Sequence, residues 1–323
     1  MRLLSTDDLV ETFCKIRQRG LSFVLSKFHL NPLQRTLSTF NETDVETSNW
    51  WIVPEVRTRW NRRISGDPGS AYEDHVLQKH FAGRSGLKML SLGSGPCVHE
   101  RRFAESGVFA EVRCIDAAEK PIDAARRECA AHGLACMRFE VADINRMTLP
   151  IETYDLILFD SSLHHFRRVR EMLGDKVRGA LKKEGLLVIN EFVGPNRIQL
   201  PRPQLRAINA ALRTVPPTFR ARHKCGILKR SVSGPGLLRM LLADPSECVE
   251  SASIVPALRE FYDVVEEAPL GGNLLFLLLK DISHHFVTPD AETRRILESL
   301  FRQEDAWLLD SPSDFLFGVY RKK

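Results

Sequence analysis

Five short apolar runs, separated by stretches with helical spacing, constrain the fold of this chain more than any other feature of its sequence. The runs span residues 87–93, 111–117, 137–143, 154–160 and 185–191. The stretch between the second and third runs ends at Gly133, a residue that favours the C-terminus of a helix. Strands that alternate with helices form a parallel sheet covered on both faces. The sequence therefore predicts an α/β fold with a doubly wound, mostly parallel sheet.

More elements are predicted on both sides of this region. Two closing strands are expected at 262–268 and 314–322. Residues 192–260 are punctuated by prolines, and we interpret them as a helical insertion because a structureless loop of that length is uncommon in a compact domain. Near the N-terminus, apolar residues recur at helical spacing and Asn31-Pro32 is expected to end the segment. These residues are Leu9, Phe13, Ile16, Leu21, Val24, Leu25 and Phe28.

The Leu-rich stretch 271–286 is compatible with a strand, but its length favours a helix, with Asn273 as its N-cap. The pair Thr288-Pro289 is expected to open the next helix, with proline in its first turn. Together these expectations divide the chain into a helical cap and a core that contains a lid and a further helical segment. The cap comprises residues 1–85 and the core residues 86–323. Within the core, the lid comprises residues 192–260 and the further helical segment residues 271–310.

Composition excludes several classes of protein. The 323 residues are 43% hydrophobic and 27% charged, as in ordinary globular proteins, and the longest apolar run has six residues, far fewer than the roughly 20 of a membrane span. The seven cysteines form no CxxC pair, and no histidine cluster has metal-ligand spacing, so no metal site is expected. The odd cysteine count and the lack of a secretory leader favour reduced thiols and a cytoplasmic location.

Positive charge is concentrated in one stretch. The net charge is only +5, yet residues 197–230 hold nine Lys or Arg and no Asp or Glu. One interpretation is a solvated helix face, and the other is a rim that attracts an anionic ligand. No nucleic-acid-binding motif accompanies the stretch, so a nucleic-acid partner is not expected.

Chemistry-bearing residues follow four of the predicted strands, and ligands of such sheets bind at the carboxyl ends of the strands. Gly93-Ser94-Gly95 allows close approach to the backbone. Asp116 lies 23 residues after Gly93, where a carboxylate can accept the hydroxyls of a ribose. Asp143 can accept a hydrogen bond from an adenine amino group, and Asp160 begins the sequence DSSLHHF, which leaves the fourth strand. A nicotinamide dinucleotide is disfavoured because the last glycine of GxGxxG is Val98 here.

With these motifs in register, residues 87–191 resemble the class I S-adenosylmethionine-dependent methyltransferases. The resemblance implies a seven-stranded Rossmann-like sheet whose last strand is antiparallel. It also implies a cofactor site in which Gly93, Ser94 and Gly95 face the methionyl part, Asp116 the ribose and Asp143 the adenine. The neighbouring residues assigned to the cofactor are Ala117, Ile144, Asp160 and Ser161. Two family positions differ, because Ser91 replaces the leading acid and Cys97 the third glycine, and Glu100 is a candidate substitute for that acid.

Outside this region, the stretches RWNRRISGDP (59–68) and NEFVGPN (190–196) resemble a bacterial subgroup of small-molecule or glycan methyltransferases. This likeness suggests that the N-terminal segment and the insertion cover the substrate. The acceptor is therefore expected to be a small molecule or saccharide that is methylated at oxygen. The basic stretch further favours an acceptor that is anionic.

Transfer to a hydroxyl benefits from a general base, and histidine suits that role near neutral pH. His164 and His165 follow the fourth strand, and we favour His165, although either ring could instead point into the core. Glu191, at the end of the fifth strand, could orient the base or bind the acceptor, or could simply cap a helix. Arginines 59, 62 and 63, tryptophans 50, 51 and 60, and histidines 284 and 285 are interpreted mainly as structural.

Two other functions remain open at this stage. An RNA or protein methyltransferase is one, although base-amino methylation usually shows an Asn/Asp-Pro-Pro-aromatic run where this chain has Asp160-Ser161-Ser162-Leu163. A non-catalytic methyltransferase-fold subunit is the other, and the altered positions Ser91 and Cys97 keep it open.

Overall fold

The computed structural model describes residues 1–19 and 48–323, and a seven-stranded sheet forms its centre. The sheet order is β3-β2-β1-β4-β5-β7-β6. Strands β1 to β5 are parallel, whereas β7 runs antiparallel to both of its neighbours. The predicted Rossmann-like methyltransferase fold is therefore confirmed, with all seven strands. Their bounds are Leu87–Leu92 (β1), Phe109–Asp116 (β2), Met137–Val141 (β3), Tyr154–Asp160 (β4), Leu181–Phe192 (β5), Tyr262–Gly271 (β6) and Phe315–Lys322 (β7).

The central strands are apolar because helices cover both of their faces. Six of the seven residues of β4 are buried, and so are five of the six in β1. The chain order reverses at β1, whose neighbours are β2 on one side and β4 on the other. Loops that leave these strands in opposite directions open a crevice at their carboxyl ends, which is where ligands of doubly wound sheets bind.

Helices surround the sheet on both faces. A helical stretch from 169 to 180 leads into β5, and its three parts are Val169–Glu171, Met172–Val177 and Arg178–Ala180. The helix Pro54–Ser65 has favoured residues at both ends, since Pro54 opens it and Gly66 ends it in the left-handed conformation. The helices are α1 Thr6–Arg19, α2 Pro54–Ser65, α3 Tyr72–His80, α4 Val98–Glu105, α5 Glu119–Ala131, α6 Arg202–Thr214, α7 Leu237–Ala243, α8 Ile254–Phe261, α9 Leu275–Leu279 and α10 Ala291–Leu308.

Two predicted helix starts are wrong. Asn273 does not cap a long helix; α9 has only five residues, and the Asn273 side chain instead donates to Pro312 O and accepts from the Asp314 amide. The next helix, α10, begins after Pro289, because Asp290 and Thr293 form a reciprocal capping box. Within the predicted N-terminal helix, positions 21–28 and the stop at 31–32 lie outside the described residues.

The prediction that the cysteines are reduced thiols is also wrong for one pair. Cys14 of α1 and Cys225 of the insertion form a disulfide, with their Cα atoms 5.5 Å apart. The same two segments are joined by ion pairs, since Arg239 of α7 contacts both Asp8 and Glu11 of α1. The N-terminal segment is therefore fastened to the insertion. None of the helices in residues 1–19 and 48–323 has the length and apolar character needed to cross a bilayer.

Candidate active site

One large cavity lies at the carboxyl ends of the strands, with a volume of about 1210 Å³. Loops that follow β1, β2, β3 and β4 line one side, and the 245–248 segment of the insertion and a group of aromatic residues line the other. Sites that enclose a single small ligand usually measure about 300–1,000 Å³. The cavity therefore has room for a nucleoside cofactor together with a second, small molecule.

The two glycines after β1 have different surroundings. Gly93 has a φ of +75°, and a Cβ atom added to it would lie 2.6 Å from Cβ of Ser162. Ser162 is held there because its hydroxyl donates to Leu92 O at 2.7 Å. Gly95 has a φ of +51°, and an added Cβ would meet no atom within 4 Å. All three loop residues border the cavity, but Gly93 is needed for the close contact with Ser162, whereas the space beside Gly95 is open to a ligand.

Asp116, at the end of β2, faces the cavity and also fixes this loop. Its Oδ2 atom accepts a hydrogen bond from the Gly95 amide at 2.8 Å, and its Oδ1 atom accepts one from the Ala118 amide at 2.7 Å. Ala117 lines the cavity beside it. Each carboxylate oxygen has a further lone pair, so the side chain can bind both the loop and a ligand hydroxyl.

The residues predicted after β3 and β4 border the same cavity. Asp143 accepts from the Asn145 amide at 3.0 Å, and Ile144 is buried next to it. Asp160 accepts from Asn190 Nδ2 at 3.0 Å, and Ser161 follows it with a φ of +50°. The structure therefore brings together all nine residues predicted for the cofactor.

Glu100 and Ser91 occupy the region of the missing family acid. The Ser91 hydroxyl donates to Glu100 Oε1 at 2.5 Å, and both residues are buried behind the cavity rather than lining it. Burial raises the pKa of Glu100 to about 7. A direct contact between Glu100 and the amino group of a ligand does not fit this buried position. The hydrogen bond instead joins β1, through Ser91, to the helix that follows the 93–95 loop.

His99 lines the cavity, although no motif in the sequence indicated it. Its Nδ1 atom lies 2.6 Å from Glu73 Oε1, and its Nε2 atom lies 3.6 Å from Asp160 Oδ1. Burial opposes the charged ring, but these carboxylates raise the pKa of His99 to about 10. A protonated imidazole therefore lies beside the loop that follows β1.

His164 and Glu191 form a buried pair. Glu191 is fully buried; its Oε1 atom accepts from the amides of Ser162 and Leu163, and its Oε2 atom lies 2.7 Å from His164 Nδ1. Although burial alone would lower it, the pKa of His164 is raised by the Glu191 carboxylate. Glu191 does not line the cavity, so its position does not support the prediction that it could bind the acceptor. Its contact with His164 instead supports the prediction that it orients that ring.

His165 also lines the cavity, beside residues from the insertion. Its Nδ1 atom lies 3.0 Å from Ser246 Oγ, and the Ser246 hydroxyl donates in turn to Asp244 Oδ1 at 2.7 Å. Burial and the adjacent His164 lower the pKa of His165. Glu247 completes the group, with one carboxylate oxygen 3.9 Å from His164 Nε2 and the other 3.9 Å from His165 Nε2. The sequence did not indicate Ser246 or Glu247, because no motif surrounds them.

Aromatic rings form the wall beyond the histidines. Trp51 and Trp60 lie 4.5 Å apart and Trp50 and Phe315 lie 4.9 Å apart, measured between ring centroids. Phe192 links this cluster to His164, with centroids 6.4 Å apart. The tryptophans thus pack in the core, as predicted, but all three also line the cavity.

The basic stretch 197–230 does not form the rim of this cavity. None of its residues is among those that line it, and two of its cations turn inward: Arg222 binds Asp281, and Lys229 donates to the carbonyls of Leu277 and Leu278. The basic side chains that do line the cavity come from the loops after β3 and β4 and the helical stretch at 169–180. They are Arg146, Arg167, Arg168 and Lys176.

The residues interpreted as structural have partners within the protein. Arg59 and Arg63 both bind Asp305, and Arg63 also donates to Pro269 O. His284 contacts Ser48, and His285 lies 2.9 Å from Ala221 O. These contacts agree with the structural interpretation.

Comparison with known proteins assigns residues 84–231 to a family described as a methyltransferase domain. The search of curated protein sequences found no match. Among solved structures, a methyltransferase from Mesorhizobium loti is 20% identical, covers 78% of this chain and 98% of its own, and has a TM-score of 0.44. The YcgJ protein of Bacillus subtilis is 17% identical over 78% of this chain and 98% of its own, with a TM-score of 0.45. Phosphoethanolamine N-methyltransferase 2 of Haemonchus contortus, solved with S-adenosyl-L-methionine, is 13% identical over 77% of this chain and 52% of its own, with a TM-score of 0.48.

Proposed function

We propose that this chain, residues 84–231 of which match a methyltransferase-domain family, uses S-adenosylmethionine to methylate an oxygen of a small molecule or saccharide. The observation that carries the proposal is a single cavity that joins two groups of residues. At one end lie Asp116 and Asp143, which suit a nucleoside. At the other lie His164 and His165, which suit an acceptor hydroxyl.

The cofactor end fits S-adenosylmethionine on its own geometry. The face of Gly95 is open, and Asp116 retains acceptor capacity after binding the loop. We assign the ribose hydroxyls to Asp116, the adenine to Asp143 and Ile144, and the methionyl part to the 93–95 loop. Ala117, Asp160 and Ser161 complete that wall, and the protonated His99 can bind the carboxylate of the methionyl part. When bound, the cofactor supplies an electrophilic methyl group on a cationic sulfur.

The acceptor end combines a flat apolar wall with polar groups. The rings of Trp50, Trp51 and Phe315 offer faces and edges on which a planar molecule or a sugar ring can pack. A hydroxyl directed from that wall toward His164 and His165 would lie between the aromatic cluster and the strand ends. The protein then contributes mainly by holding the hydroxyl in line with the methyl group.

Transfer to oxygen also requires that a proton leave. Transfer would join the acceptor oxygen to the methyl carbon and break the carbon–sulfur bond, whose electron pair would stay on sulfur. The proton of the hydroxyl must pass to a group at this end of the cavity. The sequence predicts His165, or else His164, as that general base, and this assignment stays a prediction.

The basic side chains that line the cavity favour an acceptor that is negatively charged. Arg146, Arg167, Arg168 and Lys176 line one side of the cavity and would attract a negative group. This is a different set of cations from the 197–230 stretch that the sequence suggested.

Calorimetry with S-adenosylhomocysteine, followed by an acceptor screen with labelled cofactor, tests the proposal. We expect binding to the wild type, weaker binding to Asp116→Ala, and label transfer into anionic small molecules or saccharides. Absence of binding would reject the cofactor assignment. Binding without transfer to any fraction would favour a non-catalytic subunit, and transfer confined to RNA or protein fractions would reject the small-molecule assignment.

A further inference from the structure

We propose that His164, His165 and Glu247 bind one divalent metal ion of the zinc type at the acceptor end of the cavity. Each residue offers one ligand atom, and the three atoms lie within 4.8 Å of one another. The two imidazole Nε2 atoms each lie 3.9 Å from an oxygen of the Glu247 carboxylate. All three side chains line the cavity.

These separations suit a metal ion after a small contraction. Ligand atoms at about 2.0–2.1 Å from a tetrahedral zinc ion lie about 3.4 Å from one another. Each distance between an imidazole Nε2 atom and a Glu247 oxygen must therefore shorten by about half an ångström when the ion binds.

The second observation is the set of contacts behind the ligands. His164 Nδ1 donates to the buried Glu191 carboxylate. His165 Nδ1 faces the Ser246 hydroxyl, whose own hydrogen is directed to Asp244, so the imidazole must be the donor. With Nδ1 as the donor, the neutral form of each ring carries its lone pair on Nε2, the nitrogen that lies 3.9 Å from a Glu247 oxygen. Metal-binding histidines are fixed in this way by a carboxylate or hydroxyl partner on the other ring nitrogen.

The donor set also indicates which ion would bind and how. Two imidazoles and one carboxylate are the ligands of many catalytic zinc sites, which leave a fourth position for water or substrate. Here that position would open into the cavity. An ion there would polarise an acceptor hydroxyl and lower its pKa. This catalytic consequence rests on the proposed function, whereas the binding itself does not. In the loaded protein both Nε2 atoms would hold the ion, so the general-base role predicted above for His165 or His164 would apply only to the metal-free protein. The metal-bound acceptor would instead release its hydroxyl proton to water.

The test uses full-length protein freed of metal by a chelator and then dialysed against Zn²⁺, with bound metal measured by elemental analysis. Co²⁺ serves as a spectroscopic probe of tetrahedral coordination. We expect one ion per chain, at least 100-fold weaker binding in Glu247→Gln, and 10- to 100-fold weaker binding in Glu191→Gln. The latter keeps one oxygen to accept from the Ser162 and Leu163 amides but replaces the oxygen that accepts from His164 with an amide nitrogen. The matched control is the double variant His223→Gln/His284→Gln, which alters another histidine cluster whose rings lie 4.9 Å apart.

Thermal unfolding confirms that each variant is folded. Substoichiometric zinc, unchanged affinity in folded Glu247→Gln, or loss of binding in the control variant would overturn the metal site. Binding of S-adenosylhomocysteine without zinc binding would reject this inference and leave the proposed function standing. Zinc binding without S-adenosylhomocysteine binding would support the metal site and reject the cofactor assignment of the proposed function. If the assignment is right and an acceptor is known, chelator lowers turnover at least tenfold and stoichiometric Zn²⁺ restores it; turnover unaffected by chelator would overturn the catalytic part.

Discussion

Asp116 and Gly95 are joined by a hydrogen bond of 2.8 Å from the backbone amide of the glycine to Oδ2 of the aspartate. This contact links the ends of two neighbouring strands, β1 and β2. The carboxylate that we assign to the cofactor ribose is thus also the group that holds the loop facing the methionyl part. Both halves of the proposed cofactor site depend on one side chain.

Substitution of Asp116 should therefore weaken cofactor binding more than the loss of one ligand contact would. In Asp116→Asn, the amide group cannot accept from both backbone amides and also from the ribose. Hydrogen bonds to charged groups contribute about 1.5–3 kcal/mol each, so S-adenosylhomocysteine should bind about 10- to 100-fold more weakly by calorimetry. The control is Asp123→Asn, which changes a partly exposed acid paired with Arg126 on α5. A dissociation constant within twofold of wild type for Asp116→Asn would contradict the assignment.

The two glycines of the loop give opposite patterns of stability and binding. Gly93→Ala places a methyl group against Ser162 in a left-handed backbone conformation, and should lower the free energy of unfolding by about 2–4 kcal/mol. Gly95→Ala meets no protein atom, so only the backbone strain of about 1–2 kcal/mol applies, but its methyl group enters the cavity.

Urea unfolding and calorimetry with S-adenosylhomocysteine separate these effects. Gly93→Ala should be the less stable variant, and Gly95→Ala should lose more affinity than its small loss of stability explains. Equal stability of the two variants would show that the contact with Ser162 does not constrain the loop.

The strands, and the position at one cavity of the residues predicted for the cofactor, could be predicted because their signals are local. Apolar runs alternate with helical stretches, and the residues at the strand ends meet at one edge of the sheet as a consequence of topology. The pair His164-His165 was predictable for the same reason, since it follows β4 directly. Sequence spacing alone thus predicted that these side chains border one cavity, whereas their roles there stay predictions.

The rest of the site depends on contacts between distant segments. Ser246 and Glu247 reach the histidines across 81 or more residues, from an insertion without a recognisable motif. The inward turn of Arg222 and Lys229 depends on partners in the 277–281 segment. Composition indicated a basic rim but could not show which cations are already paired within the protein.

Stability should depend on pH through Glu100. Its pKa is about 7 in the folded protein because of burial, and near the usual 4.5 in the unfolded chain. Between these values the folded state binds more protons, so wild-type stability should fall as pH rises from about 4.5 to 7, by roughly 3 kcal/mol in total. Glu100→Gln retains an oxygen for the Ser91 hydroxyl and removes the titration.

Urea unfolding of both proteins between pH 5 and pH 8 measures this difference. The variant should gain stability relative to wild type as pH rises, and other titrating groups cancel in the comparison. A constant difference between the two proteins over this range would mean that Glu100 ionises in the folded state as it does in the unfolded chain.

The disulfide between Cys14 and Cys225 should contribute to stability because it closes a loop of 211 residues between α1 and the insertion. Cross-links of this kind typically stabilise proteins by about 2–4 kcal/mol. Thiol reductant should therefore lower the unfolding midpoint of the wild type in urea. Cys14→Ser should show the lower midpoint without reductant and should not respond to it. Cys136→Ser, which alters a partly buried free thiol, should retain the wild-type response. Identical midpoints for wild type with and without reductant would show that the ion pairs of Arg239 with Asp8 and Glu11 hold α1 in place without help from the disulfide.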